Sequence, residues 1–159
     1  MRHSLQVGLS FGLTSAIITT LGLMVGLNSG THSKLAVLGG IMTIAVADAF
    51  SDAMGIHVSE ESENKHSTRE VWESTIATFF SKLFFALTFI VPVLIFENLF
   101  TAVVVSIIWG LLLLSIVSFR MAKKQNIKPW RVVTEHLVIA LIVVAATNYT
   151  GELIATLFG

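Results

Sequence analysis

The sequence predicts an all-α integral membrane protein with five transmembrane helices, its N-terminus in the cytoplasm and its C-terminus outside. Three observations carry that prediction. Of 159 residues, 54% are hydrophobic and only 13% charged, with mean hydropathy +0.82; a soluble domain carries about 25% charged residues. The apolar residues gather into five long blocks, each near the ~20 residues a helix needs to cross the hydrocarbon core. The cations are one-sided. With the chain threaded through those blocks, Arg2, Lys65, Arg69, Lys82, Arg120, Lys123, Lys124, Lys128 and Arg131 fall on or next to one face and only Lys34 on the other. By the positive-inside rule that face is cytoplasmic.

The spans follow in order. The first covers about 5–27. Its apolar run exceeds the ~7–15 residues of a signal-peptide core, and no small-x-small cleavage pattern follows it, so it reads as a retained helix. The second covers about 34–59 and leads into a polar cytoplasmic loop, 60–75. The third covers about 76–96, with Pro92 expected to kink its far end. A short turn at Glu97 and Asn98 leads to the fourth, about 99–119. A basic segment follows, and Pro129 sits where an early helix position tolerates it, at the start of the fifth, about 132–158. The whole chain, 1–159, reads as a single transmembrane domain. Lys82, near the start of the third span, is expected to snorkel to the cytoplasmic headgroups. Trp72 and Trp130 suit the cytoplasmic interface, and Trp109 suits packing within the fourth span.

In a membrane protein a net charge of zero says nothing about nucleic acid, and no nucleic-acid partner is expected; the absence of cysteine excludes disulfides and thiolate metal sites. The informative anomaly is AVADAFSDAMG in the second span, which puts Asp48 and Asp52 one helical turn apart. At 100° per residue, Asp48, Ser51, Asp52, Gly55, Ser59 and Glu63 share one polar stripe, which opens toward the cytoplasm and ends near mid-membrane. A carboxylate at the bilayer centre costs about 2.5–3.5 kcal/mol, so intramembrane ionisable groups are expected to be functional. Two close carboxylates do not both ionise without a cation, and a bound metal would therefore release protons. The candidate ion ligands are Asp48 and Asp52, with an oxygen from Ser51, and with Glu60 and Glu63 drawing the ion in. In the first span Gly8, Gly12, Gly22 and Gly26 form two G-x-x-x-G pairs suited to close helix packing. Ser10 and Thr14, at a depth similar to Asp52, are candidates to line a path, together with Phe11, Gly55 and Ser59. His57 and Met54 point elsewhere on their helix.

Two stretches resemble the vacuolar iron transporter family, in its short nodulin-21-like form: GLSFGLTSAIITTLGLMVGL at 8–27 and AFSDAMGIHVSEESE at 49–63. Ala49, Ser51, Ala53, Gly55, Ser59, Ser62 and Glu63 keep the frame of that family's second helix, and the five-span layout is similar. Agreement is good over about the first 63 residues and is one of layout beyond them. The resemblance implies a homodimer whose first two helices line a path for Fe2+ or Mn2+ leaving the cytosol in exchange for protons. It places Phe11 at the family's first-helix aspartate, Asp52 at its second-helix methionine and Ile44 at a glutamate. Loss of the thioether removes the soft ligand that favours a transition metal, and an oxygen-rich site suits Mn2+, Mg2+ or Ca2+. The family's cytosolic metal-collecting domain is missing.

The expectation is a dimeric divalent-cation transporter that needs no resident cofactor and has the lipid bilayer as its other partner. It would lie in the plasma membrane of a prokaryote, or in a vacuolar or other organelle membrane of a eukaryote. The alternative is a non-transporting assembly or regulatory protein on the same fold. An enzyme is not expected: the G-x-G-D pattern of intramembrane aspartyl proteases is absent, as is the upstream D-x-x-D-G-x-x-A-R of CDP-alcohol phosphotransferases.

Overall fold

A computed structural model describes residues 3–158; Arg2, counted above among the basic-face cations, lies outside them. The chain forms α1 (His3–Thr31), α2 (Lys34–Ser62), α3 (Thr68–Thr88), α4 (Ile90–Ile95), α5 (Leu99–Lys124) and α6 (Pro129–Phe158), with no strand among the described residues. Five helical segments are long and apolar enough to cross a membrane, α3 and α4 together making the third. The predicted all-α, five-span architecture is therefore present.

The helices run past the expected spans at several ends, α1 to Thr31 and α5 to Lys124 among them, and two differences have clear local causes. The expected loop 60–75 is mostly helix: α2 runs on to Ser62 and α3 starts at Thr68. The cause is a capping box. The Ser67 hydroxyl accepts from the Glu70 backbone N–H, while the Glu70 carboxylate accepts from the Ser67 backbone N–H, satisfying two donors that a helix start leaves open. The third span is interrupted at Phe89, three residues before Pro92. Proline has no N–H to offer the carbonyl one turn back at residue 88, so the ladder breaks there. Pro129 is the first residue of α6, as expected.

α1 lies at the centre, against α3 most extensively, then α6, α2 and α5. Its glycines make this possible by serving two neighbours. Gly8 and Gly12 lie against α3, where a Cβ on Gly12 would come 2.6 Å from the Thr78 carbonyl oxygen. Gly22, Gly26 and Gly30 face α6, where Cβ atoms would meet Val143, Thr147 and Gly151. Both G-x-x-x-G pairs are thus packing surfaces that let backbones approach. Ile17, Leu21 and Met24 of α1 then join Val37, Ile41, Phe89, Val93 and Leu114 in the main apolar core. Gly12→Ala is expected to destabilise the protein by about 1–3 kcal/mol by overpacking against rigid backbone, read as a lowered unfolding temperature in detergent.

Successive rows of α2, each repeating every four residues, have different surroundings. Val37, Ile41, Ala45, Ala49 and Ala53 are buried against α1 and α3. On the opposite side Gly39, Thr43, Ala47, Ser51, Gly55 and Ser59 are all exposed. Between them Gly40, Ile44, Asp48, Asp52, Ile56 and Glu60 are half-buried. The single polar stripe read from the sequence is therefore two rows: one carries the aspartates inward, the other carries Ser51, Gly55 and Ser59 outward.

Candidate functional site

Asp48 and Asp52 converge on a residue the sequence reading placed elsewhere. Lys82 does not snorkel: its side chain is 1% exposed, and its ammonium forms ion pairs with Asp52 and, at 2.5 Å, with Asp48. It also donates to the Ser15 hydroxyl of α1 at 2.7 Å. Three helices thus meet at one nitrogen. The correction has a local cause: the two aspartates of α2 and Ser15 of α1 lie within reach of the ammonium, so it finds its partners inside the bundle and not among the headgroups.

Magnitudes favour this clasp. Burying an ammonium costs several kcal/mol even after relaxation. Each pairing with a carboxylate returns about 4 kcal/mol at 4 Å and an effective dielectric of 20, so the two aspartates supply the counter-charge that a lone buried lysine would lack. The structure also answers how two aspartates share one helix face at this depth: a protein cation sits with both. The two carboxylates are not equivalent. Asp52 accepts a formed hydrogen bond from Lys82. Asp48 Oδ2, sealed from solvent, touches the ammonium but has no aligned donor, so charge alone holds it. Small neighbours leave room for the lysine, since Thr78, Ser81 and Ala86 on α3 are buried with it.

The other candidate residues are spread around this cluster. Ser51, Gly55 and Ser59 are exposed; Ser51 lies about 60° round the helix from Asp48 at 100° per residue, while Gly55 and Ser59 lie within about 20° of it but two and three turns further along. Glu60 and Glu63 lie where α2 ends, with His66 Nε2 at 3.4 Å from Glu60 and 4.0 Å from Glu63, and Lys65 3.7 Å from Glu63. Ser10, Phe11 and Thr14 do not touch the aspartates. They line a cavity of about 370 Å³ with Gln6, Gln125 and His136 at the basic end of α1, α5 and α6. Phe11 is four residues before Ser15, so the cavity reaches within one helical turn of the clasp on the same row of α1. His57 is engaged apart from the aspartates, with Thr75 at 2.9 Å and the Trp72 ring. The residues missed were Lys82 and Ser15. The available signal was a lysine inside an apolar run together with two aspartates that lacked a counter-charge.

Chemically, the cluster is two carboxylates and one ammonium, with net charge −1 when all are ionised. Among the described residues no three His, Cys, Asp or Glu side chains gather into a metal-holding group. The chain offers a cation two carboxylates and a few hydroxyls, and Lys82 already sits with both carboxylates.

Fold and site define an all-α membrane protein with a lysine–diaspartate clasp inside its helix bundle. No protein-family model matches the chain, and no curated protein matches it.

Proposed function

We propose that the protein exchanges a divalent metal cation for protons across the membrane, with Asp48 and Asp52 as the cation site and Lys82 as the internal cation that holds the site between metals. The observation that carries this reading is the shared pairing of Lys82 with both aspartates. A divalent cation entering between the carboxylates must displace a like charge. Lys82 can yield by giving up its proton. The charges balance: two carboxylates, one ammonium and M2+ become an M2+–dicarboxylate, a neutral amine and one released H+. Metal binding is thereby coupled to proton release. All-oxygen ligation favours Mn2+, Mg2+ or Ca2+ over a soft metal. The cavity lined by Ser10, Phe11 and Thr14 supports an approach from the basic end, which the positive-inside rule assigns to the cytoplasm. The resemblance of 8–27 and 49–63 to the vacuolar iron transporter family supports the same direction, export from the cytosol.

The working unit is proposed to be a homodimer. The outward row of α2 is built of small residues, and Cβ atoms on Gly39 and Gly55 would meet nothing within 4 Å. Rows of that kind let two membrane helices come close. A two-fold contact there would bring both Asp48–Asp52 pairs toward one axis and add the Ser51 hydroxyls. Because the chain has no cysteine, Ser51→Cys reports on this alone. An oxidant is expected to give a disulfide-linked dimer in native membranes. Linkage at Leu141→Cys on α6 but none at Ser51→Cys would contradict the α2 interface.

The reading as a whole is tested by reconstituting the protein in vesicles and imposing a pH gradient, which is expected to drive Mn2+ movement. One observation favours a second reading. The clasp is already charge-paired, so Lys82 could be a permanent lock in a non-transporting assembly or regulatory protein. Absence of Mn2+, Mg2+ and Ca2+ binding to the purified protein at neutral pH would select that reading.

A further inference from the structure

A second feature at the basic end is independent of the clasp. Between α1 and α5 runs a groove of about 260 Å³ lined by Leu9, Leu13 and Val117 in its apolar part and by Gln6, Ser10, Arg120 and Lys124 in its polar part. Val117, Arg120 and Lys124 are spaced by three and four residues, so one face of α5 supplies them. Arg120, Lys123, Lys124, Lys128 and Arg131 all lie within twelve residues of chain. None of them has a carboxylate within ion-pair distance among the described residues. By contrast Lys65, between α2 and α3, and Arg69, in the first turn of α3, are paired with Glu63 and Glu73. Lys123 instead lies over the Phe119 ring, 5.8 Å from its centroid, and points away from the groove face.

We infer that this groove binds one anionic phospholipid, its phosphate held by Arg120 and Lys124 and an acyl chain lying along Leu13 and Val117. The occupant follows from complementarity. A free phosphate would match the two cations but leave the apolar part of the groove unfilled. A zwitterionic lipid would match the apolar part but bring its own ammonium to the cations. Only an anionic amphiphile satisfies both, and the groove lies at the headgroup end of two membrane-length helices, where basic pockets between helices take such headgroups. Gln6 and Ser10 add donors for ester or phosphate oxygens. The lipid would lie beside the Ser10–Phe11–Thr14 cavity, which shares Gln6, Ser10 and Met121 with the groove.

The test is the unfolding temperature of delipidated protein in neutral detergent with added phosphatidylglycerol, phosphatidylcholine or inorganic phosphate. Phosphatidylglycerol is expected to raise it by several degrees, and the other two to leave it unchanged. The double variant R120Q/K124Q is expected to lose the shift, while K123Q/K128Q, which removes the same charge outside the groove, keeps it. Equal loss in both double variants would reduce the effect to diffuse attraction and overturn the site. A shift with inorganic phosphate alone, or one that survives R120Q/K124Q, would overturn it as well. Native mass spectrometry of the wild type supplies a reading that needs no variant: one retained phosphatidylglycerol per protomer is expected, and equal retention of phosphatidylcholine contradicts the proposal.

Discussion

Lys82→Met is expected to destabilise the protein by about 3–5 kcal/mol, the usual consequence of removing one partner from a buried ion pair. Methionine keeps the length of the lysine stem, so the loss is electrostatic more than steric. It leaves Asp48 and Asp52 facing each other in a half-buried site with no counter-charge. The companion variant K82M/D48N/D52N separates this from a packing defect. With no charge left to strand, it is expected to recover more than half of the lost stability, because replacing a buried pair by neutral groups is often close to neutral. Unfolding in detergent, followed by circular dichroism, checks both. If the triple variant is no more stable than Lys82→Met, the lysine matters for its shape and the electrostatic account is wrong.

The second large effect is on the proposed transport. Asp48→Asn and Asp52→Asn together are expected to abolish Mn2+-driven proton movement in vesicles, down to the level of protein-free controls. Asparagine preserves size and can still accept from Lys82, but it cannot neutralise a divalent charge. The single variants are expected to differ. Asp52 accepts a formed hydrogen bond and Asp48 is held by charge alone, so Asp52→Asn loses more stability. Both lose exchange. Proton movement equal to wild type in the double variant would remove the aspartates from the site.

Much of the fold was legible because its governing rules are local. Length and apolarity fixed five spans, Pro92 marked the break in the third, and two G-x-x-x-G pairs marked close approach on α1. The aspartates stood out on cost alone. What was not legible depended on how helices meet. Read from its own helix, Lys82 had only the headgroups in reach, whereas the packing of α1 and α2 against α3 gives its ammonium Asp48, Asp52 and Ser15. Helical spacing assigned Ser51 and Asp52 to one stripe. Which neighbour each row faces depends on where α1 and α3 sit against α2, and that separated them. The same reason explains why Ser15, and not Ser10 or Thr14, reaches the cluster: the sequence gives a residue its angle on its own helix and no partner across the gap.

In the proposed exchange, Lys82 holds the cation seat and leaves it by losing its proton. Lys82→Arg tests that claim most directly. Arginine keeps the positive charge and can pair with both carboxylates, yet it does not give up its proton in proteins. The measurement is proton release on Mn2+ addition in reconstituted vesicles, alongside the unfolding temperature to establish that the variant is folded. The account predicts a folded Lys82→Arg protein that neither moves Mn2+ nor releases protons. A folded Lys82→Arg protein that exchanges Mn2+ for protons at the wild-type rate would contradict it.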